Sequence, residues 1–314
     1  MRTPSTFLTL VISMATAANW AAAQQPSAAS ARVEQAQRFR TGELAHDVRL
    51  RTGSEPDYIP PSPGDPDLGQ QVLLKKREKV TPFTLFTNVS GFYTNNAALT
   101  NDFTIDDYFM VAEGGASYQR QIVPDLYGEA TIRQAVFRYS EFDQLDFDSL
   151  NIGAGLTYVI RPLWGIAATA RYNFNRLTDG HEHDEFFKNQ TLTLSLLKTF
   201  ELSKAHYFYA GYASTFGWSD PVAPQRDEHG FFLGYRANLT RSIAAELYYR
   251  AAYFDYVNDR GDWNQTLALS IKWEPVRWVS IAASASLGNN DSNRDVFDYD
   301  VFNGGVGLAA TVTF

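Results

Sequence analysis

The segment from Asn303 to Phe314 reads NGGVGLAATVTF. It sets Val306, Leu308, Ala310, Val312 and Phe314 on one side and Gly305, Gly307, Ala309, Thr311 and Thr313 on the other. A period of two, with one apolar face and one small or polar face, is the pattern of a β-strand. What the chain can fold into therefore depends on how often this pattern recurs and on what covers the apolar faces.

Composition narrows the environment. The N-terminus carries Arg2, an apolar run from Phe7 to Ala18 and then Ala21-Ala22-Ala23 before Gln24. A charged start, an apolar middle and a small-residue exit predict a secretory signal over residues 1–23. The run is shorter than the roughly 20 apolar residues of a spanning helix. The 314 residues include no cysteine, which excludes a disulfide framework and lipid attachment through an N-terminal Cys. No later stretch is apolar enough to cross a bilayer as a helix, yet the chain holds 17 Tyr, 22 Phe and 6 Trp. Two options follow: a soluble β-rich secreted protein, or a closed transmembrane barrel, the only sheet that satisfies all its backbone groups in lipid.

Residues 24–81 differ from the rest. A weak helix is predicted over Ala31 to Leu50, interrupted by Gly42. Pro56, Pro60, Pro61, Pro63 and Pro66 follow and favour an extended linker. Lys75, Lys76, Arg77 and Lys79 form a basic cluster before the first strand. The segment is expected to be a flexible, mostly unstructured periplasmic arm, with a helix plugging the barrel mouth as the alternative.

From residue 82 to 314, twelve strand-like segments recur, at approximately 82–95, 107–119, 125–140, 148–161, 163–175, 188–201, 205–217, 229–240, 243–257, 262–274, 277–288 and 301–314. Short links, such as Ile122-Val123-Pro124, Arg161-Pro162 and Glu274-Pro275-Val276, alternate with longer ones at 96–106, 141–147, 176–187, 218–228, 258–261 and 289–300. Tight turns on one rim and longer loops on the other predict an all-β, antiparallel, up-and-down transmembrane barrel of about twelve strands.

The two faces decide between the options. Leu150, Ile152, Ala154, Leu156, Tyr158 and Ile160 oppose Asn151, Gly153, Gly155 and Thr157; Leu192, Leu194 and Leu196 oppose Thr191, Thr193 and Ser195. Leu267, Leu269, Ile271 and Trp273 oppose Thr266, Ser270 and Lys272. A soluble sandwich would show charge on its second face, whereas Gly, Ala, Ser and Thr suit the lumen of a barrel. Tyr93, Tyr108, Tyr158, Trp164, Tyr207, Trp218, Tyr253, Trp263, Trp273 and Trp278 lie near strand ends, as interfacial girdles do. Charges in mid-strand cost roughly 2–4 kcal/mol against hydrocarbon for Arg or Lys. Glu113, Glu129, Arg133, Arg171, Lys198, Arg236, Glu246, Arg250 and Lys272 are therefore expected to line the pore.

Acidic residues gather on the expected outer loops: Asp102, Asp106, Asp107, Asp143, Asp146, Asp179, Glu182, Asp184, Glu185, Asp220, Asp227, Glu228, Asp259, Asp262, Asp291, Asp295, Asp298 and Asp300. Such a surface either hydrates the loops or bridges through divalent cations to lipopolysaccharide phosphates. The run from Asp291 to Asp295 begins like a calcium loop, but Val296 stands where that loop needs Gly and Phe302 where it needs Glu. His181-Glu182-His183-Asp184-Glu185 offers imidazoles and carboxylates for zinc or copper, without a rigid frame or supporting shell. No metal and no cofactor is expected. The histidines are His46, His181, His183, His206 and His229, and none begins an H-x-S run. The sequence thus displays no nucleophile–base pair, and no catalytic residue is assigned.

Val80-Thr81-Pro82-Phe83 leading to Gly91-Phe92-Tyr93-Thr94-Asn95-Asn96-Ala97-Ala98-Leu99-Thr100 resembles the opening of uncharacterised outer-membrane β-barrel porin families. Tyr172-Asn173-Phe174-Asn175-Arg176-Leu177, followed by Glu185-Phe186-Phe187, is similar to the same barrels, and the likeness spans most of residues 80–314. The strand ending on Phe314 resembles the end signal read by the barrel-insertion machinery. Members are described as outer-membrane barrels, some linked to exopolysaccharide export, without assigned catalytic residues. Tetratricopeptide repeats precede the barrel in some relatives, and this arm is too short for three of them.

The resemblance and the faces together imply a bacterial outer-membrane protein. Its expected partners are outer-membrane lipid, lipopolysaccharide, the insertion machinery and small polar solutes, with no nucleic acid. The expected function is a passive channel or export-associated pore for small polar or anionic solutes. The alternative is a non-conducting structural or adhesive barrel.

Overall fold

The computed structural model describes residues 29–33, 81–102 and 104–314. The expected signal segment and most of the 24–81 arm lie outside the described residues. Twelve strands run in chain order: β1 (Phe83–Thr94), β2 (Asp107–Val123), β3 (Leu126–Tyr139), β4 (Phe147–Ile160), β5 (Ile166–Asp179), β6 (Glu185–Glu201), β7 (His206–Asp220), β8 (Arg226–Asn238), β9 (Ile243–Tyr256), β10 (Gly261–Val276), β11 (Val279–Ser292) and β12 (Tyr299–Thr313). Each pairs antiparallel with its sequence neighbours, and β1 pairs with β12 to close the barrel. Closure leaves no edge of unpaired backbone groups, which a sheet in lipid requires.

The seam is secured at the chain terminus. Phe83 N donates to Phe314 O at 3.2 Å and Phe314 N donates to Phe83 O at 3.0 Å. Their rings stack at 5.8 Å on the outer surface. The residue expected to carry the insertion signal is therefore the last rung of the closing ladder.

Alternation sets the outer surface. Leu85, Val89, Ile152, Leu156, Leu194, Leu196, Leu269 and Ile271 are all exposed, in a chain whose outer face would have nothing to bury them in water. Around the rims, Tyr108, Tyr158, Trp164, Trp218, Tyr253, Trp263, Trp273 and Trp278 are exposed as the girdle predicts. Tyr93 is half-buried against the Tyr108 ring at 5.3 Å, and Tyr207 departs from the girdle altogether. It is fully buried with Leu197, Tyr209 and Tyr248 inside the barrel, because it shares the inward register of Tyr209.

The strands reach further toward the long-loop rim than expected. β5 ends at Asp179 and β11 at Ser292, each four residues beyond the sequence reading. The loops at 180–184 and 221–225 are consequently short, and that at 257–260 keeps its expected four residues. Among the connections on that rim, the segment between β1 and β2 is the longest, and it folds into the mouth, burying Asn96, Ala97, Ala98 and Leu99.

The lumen is less uniformly small and polar than its sequence face suggests. Tyr209 lies over Gly234 and Phe232 over Gly211, each where an added Cβ would meet the ring at 2.2–2.3 Å. Glycine is needed at these two positions so that a neighbouring strand can turn an aromatic ring into the bore.

Candidate functional site in the barrel interior

The interior divides into two halves. Toward the long-loop rim, Phe109, Val111, Ala135, Phe137, Tyr139, Phe147, Leu177 and Phe187 project inward and pack with Ala29 and Val33. Residues 29–33 are helical and sit inside the barrel mouth. The short helix expected in the arm thus begins two residues earlier than read. It follows the plug alternative.

Arg32 fixes that turn. It is 2% exposed. Its Nη1 donates to Asn303 Oδ1 at 2.6 Å, and its Nη2 donates to the Asn96 carbonyl at 2.8 Å and to Thr94 Oγ1 at 3.2 Å. The guanidinium also lies 5.4 Å from the centre of the Phe109 ring. Asn96 is itself held by donating to the Thr100 and Asp300 carbonyls. One cation thus ties residues 29–33 to β1, β12 and the mouth loop.

Toward the short-turn rim lies an open vestibule of about 550 Å³. Thr84, Asn88, Ser117, Thr131, Ser270, Ser284 and Thr311 supply its polar wall, and Arg133, Arg236, Lys272 and Arg277 face Glu113, Glu246 and Glu274. Four cations meet three carboxylates there. A second cavity of about 290 Å³ adjoins Ser30 and Val33 and is lined by Asn151, Asn175, Asn189, Arg226, Glu228 and Arg250.

The expected pore residues are brought together as adjacent pairs. Arg133 bonds Glu113 at 3.1 Å, Arg236 meets Glu246 at 3.5 Å, and Arg171 bonds Glu129. Arg250 bonds Glu228 at 2.7 Å, and Lys272 reaches Glu274 at 2.8 Å. Tyr209 donates to Glu246 at 2.6 Å. Ions so paired lose less on leaving water than isolated ones would, and they leave the surplus cation to set the field.

Lys198 departs from the expectation. It shares the register of Leu194 and Leu196, so it points outward. Its Nζ donates to the Trp164 carbonyl at the short-turn rim and lies 5.8 Å from the Phe200 ring centre. A long stem laid along lipid with its head at the interface resolves the cost that had argued for the lumen.

The acidic set also divides. Glu228, read as a loop residue, is inward and accepts from both Arg226 and Arg250 at 2.7 Å. These two arginine contacts make Arg226 and Glu228 lumen residues that sequence reasoning missed, although both share the register of Phe232 and Arg236. Asp107 accepts from the backbone of Tyr108, Glu141 and Phe142, and Asp298 from Ser292. Asp262 is buried against Arg260 at 3.0 Å. These carboxylates fasten loops rather than dress a surface. In the 180–184 turn, His183 Nδ1 faces Asp148 at 3.3 Å while His181 faces Asp179 at 4.0 Å, so the two imidazoles turn to different carboxylates.

On the short-turn rim, Arg161 Nε donates to both carboxylate oxygens of Asp125, at 2.8 and 2.7 Å. The guanidinium holds the Asp125 carboxyl below its ordinary range.

On the outer face, Ser214 of β7 and His229 of β8 are register partners. Ser214 Oγ lies 3.0 Å from His229 Nδ1 and 3.2 Å from the Tyr212 hydroxyl. The pair lies outside any H-x-S run because its members come from two strands.

No family model matches the chain, and no curated protein matches it. Among solved structures, it is similar to an outer membrane channel from Pseudomonas putida F1, at 9% identity and a TM-score of 0.52, over 74% of this chain and 97% of that one. It is also similar to an anion-selective porin from Comamonas acidovorans, at 8% identity and a TM-score of 0.40, over 74% and 99% of the two chains. A third is the translocator domain of the autotransporter NalP from Neisseria meningitidis, at 9% identity and a TM-score of 0.39, over 74% and 90%. The fold is that of outer-membrane β-barrels.

Proposed function

We propose that this chain is a bacterial outer-membrane channel for small polar or anionic solutes, held shut at its long-loop end by residues 29–33. The observation that carries this reading is the vestibule of about 550 Å³ in which four cations face three carboxylates among hydroxyl-bearing and small side chains. A solute entering there exchanges bulk water for hydroxyls and paired ions, and the surplus positive charge favours anions. Membrane lipid and lipopolysaccharide would surround the exposed aliphatic belt, and Phe314 would be presented to the insertion machinery.

Planar-bilayer recording on the full chain under a salt gradient tests the reading. The expected result is a reversal potential on the anion side in Arg32→Ala, where residues 29–33 are released, moving further that way when Glu246→Gln is added and back when Arg236→Gln is added. Absence of conductance at any voltage, in both the unaltered chain and Arg32→Ala, refutes it.

The packed apolar layer around Phe109, Phe137, Phe147 and Leu177 favours a second reading, a non-conducting structural or adhesive barrel. Deleting the outer loops would then abolish surface binding while leaving an already absent current unchanged.

A further inference from the structure

We propose that Tyr212, Ser214 and His229 form a lipid-facing hydrolytic site that cleaves acyl esters of membrane lipids. This activity is separate from transport through the bore.

All three residues lie on the outer face. They share the registers of Phe208, Phe231 and Leu233, which are exposed, while Tyr209 and Phe232 on the intervening positions are buried inside. Their depth follows from the register. His229 pairs with Tyr253, which pairs with Trp263, so it belongs to a row of girdle aromatics. One outward position nearer the long-loop rim, Asp227 pairs with Asp255, and charges there mark where hydrocarbon ends. His229 is therefore about 7 Å along the strand below an acidic row, given a rise of roughly 3.3 Å per residue. That is the interfacial layer, where lipid ester carbonyls lie.

The chemistry is complete at this spot. A serine hydroxyl is a weak nucleophile until a neighbouring base takes its proton, and His229 Nδ1 is 3.0 Å from Ser214 Oγ. Ser214 Oγ donates to the Tyr212 hydroxyl at 3.2 Å, and turning that proton to the imidazole frees the phenol O–H to donate to a developing oxyanion. Ser214 Oγ adds to the ester carbonyl carbon as its proton passes to His229. The tetrahedral oxyanion accepts a hydrogen bond from Tyr212. The C–O bond to the lipid alcohol then breaks, and the alkoxide takes the proton from His229. Water, deprotonated by the same imidazole, attacks the acyl-serine, releasing the fatty acid and restoring the hydroxyl and the neutral ring. The rings of Phe216, edge-on to His229 at 6.1 Å, and Phe231, 4.9 Å from Tyr212, flank the pair with apolar surface for an acyl chain.

The test uses the full chain refolded in vesicles of dioleoylphosphatidylcholine and, separately, mixed with lipopolysaccharide, with fatty-acid release as readout. Release from either substrate supports the site and identifies the lipid source. Ser214→Ala is expected to abolish it, His229→Ala to lower it by about 10²–10⁴, and Tyr212→Phe by roughly 10²–10³. A fluorophosphonate should attach at Ser214, as seen by mass spectrometry of the labelled peptide. Release from neither lipid, release undiminished in Ser214→Ala, or no label at Ser214 overturns the proposal. Conductance of Ser214→Ala is expected to equal that of the unaltered chain, because the site faces away from the bore, so failure here is distinct from failure of the channel reading.

Discussion

Replacing Arg32 by Ala should unseat residues 29–33 without unfolding the barrel. Arg32 makes three hydrogen bonds of 3.2 Å or shorter, to Asn303, Asn96 and Thr94, and none of these partners belongs to its own helical turn. Hydrogen bonds from a charged donor contribute about 1.5–3 kcal/mol each in favourable cases, and the Phe109 contact adds roughly 0.5–1 kcal/mol. The sum overstates the loss, since water entering from the mouth can satisfy the abandoned acceptors. A net cost of about 3–4 kcal/mol to seating is the working figure, and at roughly 1.4 kcal/mol per factor of ten it shifts the equilibrium some 10²–10³-fold toward release. The chain has no cysteine, so Val33→Cys introduces a single thiol at a position that is 8% exposed while seated. Its maleimide labelling rate should rise by the same 10²–10³ factor when Arg32→Ala is added, with heat-modifiable gel mobility unchanged. Equal labelling rates with and without Arg32→Ala would refute the role of this side chain as the tether.

Three further outcomes follow from particular contacts. Asp107→Ala removes the acceptor for three backbone amides, so hydrogen exchange at Glu141 and Phe142 should lose protection while strand amides keep theirs. Loss of protection throughout β2 and β3 would contradict a local clamp. Leu194→Arg should cost roughly 2–4 kcal/mol in denaturant-monitored refolding into vesicles, against under about 1 kcal/mol for Lys198→Ala, since only the former puts a charge in mid-bilayer; equal costs would refute the outward placement of Lys198. The Asp125 carboxyl has a lowered pKa because of Arg161. Its contribution is therefore present above the ordinary aspartate value and is lost as pH falls through the depressed one. Asp125→Asn should accordingly melt below the unaltered chain at pH 7 and converge with it in acid, and a constant difference across that range would contradict the sign.

Strand number, order and facing were legible because a barrel in lipid enforces alternation on every strand. Leu156 and Thr157 could be assigned to opposite faces from spacing alone, and the structure places them so. The errors at Lys198, Tyr207 and Glu228 share one cause. Each was placed by its residue type, charge in the lumen, tyrosine at the girdle, carboxylate in a loop, although its register with Leu196, Tyr209 and Arg226 pointed elsewhere. In a closed sheet the side a residue faces is fixed by its neighbours two positions away, and a one-residue shift would turn the whole strand inside out. Chemical preference can only act within that constraint, as when Lys198 bends its stem to the interface. Register of this kind says nothing, however, about which residues from different strands meet. The Arg32 tether joins positions 271 residues apart in sequence, and Ser214 and His229 meet because the β7–β8 ladder holds one register among several possible. Interior and surface sites in a barrel therefore depend on ladder register as much as on composition. Lengthening the 221–225 loop while keeping both strands intact should leave the fold in place and preserve the Ser214–His229 pair, because fourteen neighbouring pairs between β6 and β7 and thirteen between β8 and β9 hold the register independently.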